Sequence, residues 1–409
     1  MHPRFRISPH SFAFVVFCGT LAALASLSID IGLPAFGAVA RDLDTDPANV
    51  AMSLSIFFIG FATAPLIYGP MSDRFGRRPL LLFGCAVYFV GGAGCTLAGS
   101  ISSFLTWRLV QGAGAGVGAV LSMSLVRDHF EGGRVRELLS RIAIIRVIAP
   151  MIAPALGAFI LEFSHWRVIY ALMTLAGLTM LFVVWAGLEE SAPRLRHDPA
   201  KRPVAVPISR AYMTLLRTPV CLAYMAICAL GFGSHFAYVT GSSLVMMESL
   251  GMSPAAFALL FALGACAIML ASWLSGRLVG HVSGDRLIGI GLSVALVSSL
   301  CLLGLSLSGH ASAWNLPPLF IVNAFCYGLV IPSSQQGALQ PLKDIAGAAS
   351  ALMNALMMGL GALSSALVST LYGRVQVLAV TGNMALCCAL ALGVFILLQR
   401  RRATGSSAA

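Results

Sequence analysis

Apolar residues run together along the whole chain in stretches of roughly 18 to 25 positions, each long enough to cross ~30 Å of hydrocarbon as a helix. Segments such as Leu80 to Ala98 and Val220 to Ala237 are apolar on every helical face. Strands of a membrane barrel would instead alternate apolar and polar residues over ~10 positions. Breaks at Gly, Pro and charge place spans at about 11–36, 50–70, 79–99, 103–126, 138–162, 166–187, 218–241, 254–276, 286–308, 314–338, 344–370 and 376–399. The pattern predicts an all-α membrane protein with twelve transmembrane helices. Ala23-Leu24-Ala25 has the look of a signal-peptidase site, but apolar character continues to Pro34, beyond the ~7–15 residues of a signal core, so the first span is expected to be retained.

Composition agrees: 58% of residues are hydrophobic and 10% charged, which excludes a domain with a water-facing surface. The ten cysteines fall inside apolar spans without a C-x-x-C pair and read as small apolar residues. Of the 26 basic residues, 20 fall in the termini and even-numbered loops, which puts both termini in the cytoplasm. The net charge of +11 is therefore mostly topology and needs no nucleic-acid partner.

The longest polar interruption, Glu189 to Arg217, carries four prolines and six basic residues and divides the spans six and six. It predicts a six-helix bundle over 1–188, a cytoplasmic linker over 189–217 and a second bundle over 218–409, with Ile208 to Leu216 a short surface helix. Two six-helix pseudo-repeats are suggested by an internal echo: GPMSDRFGRRP after span 2 and SGRLVGHVSGDR after span 8 share a Gly/Arg/Asp vocabulary. No nucleophile motif, H-E-x-x-H, phosphate loop or Cys/His cluster is present, so neither an enzyme, a cofactor nor a metal is implied. The run Gly112-Ala113-Gly114-Ala115-Gly116 lies mid-span, where close helix packing accounts for it.

Gly69-Pro70-Met71-Ser72-Asp73-Arg74-Phe75-Gly76-Arg77-Arg78 matches the G-x-x-x-D-R-x-G-R-R motif, and on it the chain resembles the major facilitator superfamily. The resemblance implies a major facilitator fold and a conformational latch built on Gly69, Asp73, Arg74, Gly76, Arg77 and Arg78, with Arg127 and Asp128 ending span 4. Ser28-Ile29-Asp30-Ile31-Gly32-Leu33-Pro34-Ala35 resembles the S-x-D-x-Y-L-P-A signature of the bicyclomycin/chloramphenicol-resistance (Bcr/CflA) drug exporters, with Gly32 where that branch commonly has Tyr. Arg108-Leu109-Val110-Gln111-Gly112 is similar to the superfamily's R-x-x-Q-G element. Ala149 to Ala158, with Pro150, Pro154 and Gly157, resembles the antiporter motif with three glycines replaced by alanine.

Ionisable residues at bilayer depth are costly and point to function. Asp30 is the one carboxylate well within a predicted span, and Arg108 lies at a similar depth, so the two are candidates for proton coupling or for a static ion pair. Arg141 sits near a span end, where it can snorkel, while Arg146 lies deeper and either faces the substrate cavity or pairs with carbonyls freed by the prolines. Gln111, His235, Tyr238, Asn323, Gln335, Gln336 and Asn354 complete the expected cavity. The resemblance implies proton-coupled efflux of a small drug-like molecule or metabolite by a monomer in the lipid bilayer of a bacterial inner membrane. Import of a polar nutrient such as a nucleobase, on the same fold, is the alternative.

Overall fold

The computed structural model describes residues 7–191, 213, 215, 217–278, 281–341 and 346–406. All of the expected surface helix at 208–216 except Met213 and Leu215, and the side chain of Asp73, fall outside this description. Among the described residues, twelve helices are long and apolar enough to cross a membrane, and no strand occurs. The chain divides into two compact units, Met1–Pro203 and Val204–Ala409.

The first unit contains α1 (Phe12–Asp30), α2 (Phe36–Asp42), α3 (Pro47–Phe75), α4 (Arg77–Leu97), α5 (Ile101–His129), α6 (Gly133–Phe163) and α7 (Trp166–Gly187). Together α1 and α2 make the first span, broken at Gly32 by a 3₁₀ turn over Leu33–Ala35. Pro34 lacks an N–H, so the α-helical ladder cannot continue through it. Serine caps set the starts of α1 and α5: Ser11 Oγ accepts from Phe14 N at 3.2 Å, and Ser100 forms a capping box with Ser103.

The helices run past the hydropathy limits. The interval between spans 2 and 3 was expected as a loop over 71–78, yet α3 continues to Phe75 and α4 begins at Arg77, leaving Gly76 alone as the connection. Hydropathy sees only the part of a helix that lies in hydrocarbon, whereas backbone hydrogen bonding continues into the polar end. Gly76 makes the reversal at φ 102°, a backbone conformation that a Cβ penalises.

At the centre of the unit, α5 packs against α1, α3 and α4. A Cβ on Gly112 would strike Phe57 O, one on Gly114 would strike Tyr88 N, and one on Gly116 would strike Ala64 Cβ. The glycine run is a packing surface that lets backbones meet.

The second unit contains α8 (Pro219–Ser243), which continues into a π turn over Leu244–Ser249, then α9 (Pro254–Arg277), α10 (Gly284–Leu307), α11 (Leu316–Leu339), α12 (Ala346–Val375) and α13 (Val377–Ser406). Here α8 takes the central place, packing on α11, α12 and α13. In both units large apolar side chains such as Phe83, Phe159, Phe182, Leu263, Val297 and Leu397 stay exposed, which a lipid solvent permits and water would not.

Candidate functional site

At the α3–α4 turn, Arg77 Nε donates to Asp128 Oδ2 at 3.0 Å, and its guanidinium also reaches Ser72 Oγ. Arg78 Nη2 donates to Trp185 O at 2.8 Å. Glu190, the second residue of the linker and not singled out in the sequence, seats its carboxylate on the first turn of α4. It accepts from Arg77 N at 2.8 Å and from Arg78 N at 3.2 Å. A carboxylate there satisfies two orphan N–H groups and meets the positive end of the helix dipole. Ser191 Oγ donates to Asp128 at 3.1 Å, so the start of the linker, the end of α5 and the start of α4 form one hydrogen-bonded cluster. Arg74 lies over the Phe75 ring and Arg127 is exposed. The legible signal for Glu190 was an acidic pair, Glu189-Glu190, on the side that otherwise collects arginines.

The first turn of α10 echoes this arrangement with other partners. Asp285 accepts from Tyr224 Oη on α8 and from Arg402 Nη1 on α13, the latter at 2.7 Å.

Deeper in the first unit, Asp30 ends α1 and is 6% exposed, with no hydrogen bond or ion pair to any described residue. The expected contact with Arg108 is not formed. Arg108 is 1% exposed and turned into the bundle, where Nη1 donates to Gln111 Oε1 at 2.7 Å and the guanidinium carbon lies 4.6 Å from the Phe57 ring and 5.8 Å from that of Tyr170. Its Nε has no partner among the described residues.

The cause is the pitch of the first span. Ser28 and Gly32, one turn apart, form the face directed at these side chains: Ser28 Oγ meets Tyr88 Oη at 2.6 Å, and a Cβ on Gly32 would lie 2.9 Å from Tyr170 Oη. Asp30 is two residues from each, about 200° around the helix, and so belongs to another face. Equal depth was legible from the sequence; azimuth was not. Gln111 is likewise wholly buried, its Nε2 against Met173 Sδ at 3.6 Å.

On α6, the helix runs unbroken through Pro150 and Pro154. Ala149 and Ala153 are buried, and Gly157 sits against α1, where a Cβ would strike Ile31 O. Small residues thus serve close packing where the motif has glycine. Arg141 pairs with Glu137 at 2.7 Å near the helix start. Arg146 is exposed, and among the described residues it makes neither an ion pair nor a bond to a carbonyl released by the prolines.

In the second unit, His235, Tyr238 and Asn323 line one cavity together with Phe320, Tyr327 and Cys388. His235 stacks on Tyr327 with centroids 4.4 Å apart and planes at 13°. Asn323 is committed to structure: Nδ2 donates to Ser298 Oγ at 3.0 Å and Oδ1 accepts from Ser299 Oγ at 3.2 Å, tying α11 to α10. The other three expected cavity residues are not brought there. Gln336 is exposed in a separate polar pocket with Ser272, Ser275 and His281, Asn354 is exposed on α12, and Gln335 lines neither pocket.

Two bundles of apolar helices, the first with Asp30 and Arg108 buried inside it, define a multi-pass membrane protein. The profile of the Major Facilitator Superfamily matches residues 16–366, and the chain belongs to that superfamily. It is 29% identical over 364 residues to a bicyclomycin resistance protein homolog of Haemophilus influenzae, covering 88% of this chain and 90% of the relative. It is 30% identical to an uncharacterised transporter of the superfamily from Bacillus subtilis (87% and 88% covered) and 27% identical to a chloramphenicol resistance protein of Pseudomonas aeruginosa (83% and 80%). The resemblance to the Bcr/CflA branch is thus borne out over most of the chain.

Among solved structures, a D-xylose–proton symporter superposes with a TM-score of 0.71 at 15% identity, covering 93% of this chain and 97% of that one. A bacterial homolog of the lysosomal transporter Spinster gives 0.74 at 12% identity, with 95% and 96% covered. These two establish the fold.

Proposed function

We propose that the protein exports a small drug-like molecule or metabolite across the bacterial cytoplasmic membrane by proton-coupled alternating access, acting as a transporter and not as an enzyme. The names of its relatives support the export of antibiotics of the bicyclomycin and chloramphenicol kind. The observation that carries proton coupling is Asp30: a carboxylate within a span, buried, with no cation and no hydrogen-bond donor attached among the described residues. Such a group can take up and release a proton without breaking any internal bond, and burial makes its charge costly whenever no ligand or water compensates it. Substrate and proton then compete for the same residue, which couples their movements in opposite directions.

In this reading Arg108 supplies fixed positive charge beside the pathway rather than a permanent partner for Asp30. Arg146 meets an acceptor-bearing substrate: an exposed guanidinium on a spanning helix is tolerated where water reaches it. His235 and Tyr238 offer aromatic and polar groups inside the cavity of the second bundle. Residues 1–188 and 218–409 form the two halves, 189–217 is a cytoplasmic linker, both termini are cytoplasmic, a reading the arginine distribution supports, and one chain suffices for function.

The test is chloramphenicol transport into everted vesicles or proteoliposomes with and without a proton gradient. Wild type accumulates the drug only with the gradient, and Asp30→Asn abolishes that dependence. Gradient-driven transport persisting in Asp30→Asn removes Asp30 from coupling.

A further inference from the structure

Gly32 and Tyr170 share one volume. The Gly32 Cα has no side chain, and the space where its Cβ would stand lies 2.9 Å from Tyr170 Oη and 3.7 Å from Tyr170 Cζ. The phenol comes from α7, and its direction is tightly fixed. Its ring meets Phe104 edge-on at 5.1 Å and 88°, Trp166 at 5.8 Å and 80°, and lies beneath the Arg108 guanidinium. Tyr170 is 1% exposed, yet its hydroxyl makes no hydrogen bond to any described residue, since the one polar contact of Tyr170 is its backbone oxygen with Thr174. Tyr88, the neighbouring buried tyrosine, does satisfy its hydroxyl, on Ser28.

A buried tyrosine normally finds a partner for its O–H. Here the hydroxyl is held, by three aromatic or cationic neighbours, against the break in the first span at Gly32. The absence of a side chain at Gly32 is what makes room for it.

We propose that Tyr170 is a specificity-determining residue of the transport reaction: its hydroxyl, delivered into the space left by Gly32, is the hydrogen-bonding group by which the break in the first span reads a hydroxyl or carbonyl of the substrate. This rests on the transporter reading above. The substrates it favours are neutral, polar molecules with hydrogen-bonding groups, and apolar cations gain nothing from it. Residues 32 and 170 are then coupled, because a side chain at 32 and a hydroxyl at 170 exclude each other.

The experiment uses the full chain in proteoliposomes with chloramphenicol, which carries hydroxyl groups, and compares wild type, Tyr170→Phe, Gly32→Ser and the double variant. One lost hydrogen bond raises KM about fivefold in Tyr170→Phe, with the maximal rate within about twofold. Gly32→Ser is impaired because the added side chain meets the Tyr170 hydroxyl. The double variant recovers toward wild type, since the introduced serine places its hydroxyl in the volume that the phenol oxygen has vacated. A merely structural Tyr170 moves the thermal unfolding temperature without this KM split and without rescue. An unchanged KM in Tyr170→Phe, or strictly additive effects in the double variant, overturns the proposal while leaving the transporter reading intact. Wild-type protein that moves no chloramphenicol under a proton gradient overturns both.

Discussion

Arg77 on α4 and Asp128 on α5 are joined by a 3.0 Å ion pair whose side chains are 8% and 10% exposed. A charge pair this well shielded leaves a stranded charge when one member is removed. Arg77→Ala is expected to lower the stability of the purified protein by about 2 kcal/mol. Arg77→Lys does not restore it, because an ammonium cannot serve Asp128 and Ser72 with one planar fork. Thermal unfolding in detergent measures both, and an Arg77→Ala protein as stable as wild type would show that the pair is idle.

Glu190 and Gly76 meet at the same turn. A Cβ at position 76 would lie 2.5 Å from Glu190 Oε2, on a backbone already at φ 102°. Glu190→Ala loses the cap on α4, about 1 kcal/mol. Gly76→Ala loses the cap and adds backbone strain, so it is expected to be the worse of the two by at least about 1 kcal/mol. The reverse order in unfolding temperatures would contradict the capping geometry.

Gly112 is in backbone contact with α3 through Phe57 O. Gly112→Ala is expected to cost about 3 kcal/mol or to prevent accumulation of folded protein, because backbone cannot move aside as a flexible side chain can. Gly99→Ala, where a Cβ meets nothing within 4 Å, serves as the control. Equal yields of monodisperse protein from the two variants would refute the packing role.

Asn323 bonds Ser298 and Ser299 on the adjacent helix. Asn323→Ala is expected to destabilise the second unit by about 1–2 kcal/mol while leaving the range of exported compounds unchanged. A shifted substrate profile at unchanged stability would return Asn323 to the role of a pocket residue.

Much was legible along the chain because lipid imposes a one-dimensional rule. Every backbone group must be satisfied within its own segment, so apolar length alone announces a spanning helix, and the twelve spans, the position of Asp30 and the latch motif could all be read from residue order. Asp128 was found with that motif, and Arg77 holds it. The glycines of α5 were legible as packing residues, since nothing else explains them mid-span.

What the chain order could not supply was direction around each helix axis and the choice of partner. Asp30 and Arg108 share a depth, yet Ser28 and Gly32 take the face of the first span that meets Tyr88 and Tyr170, and the guanidinium sits over Phe57 and beside Gln111. His235 and Asn323 reach one cavity while Gln336 and Asn354 do not, and Glu190 turns back over 112 residues to cap α4 at Arg78. Hydropathy is a property of single residues in series and so survives in sequence. Azimuth, contact and the filling of the Gly32 space by Tyr170 arise from side chains of several helices competing for one volume, and only the packed bundle decides them.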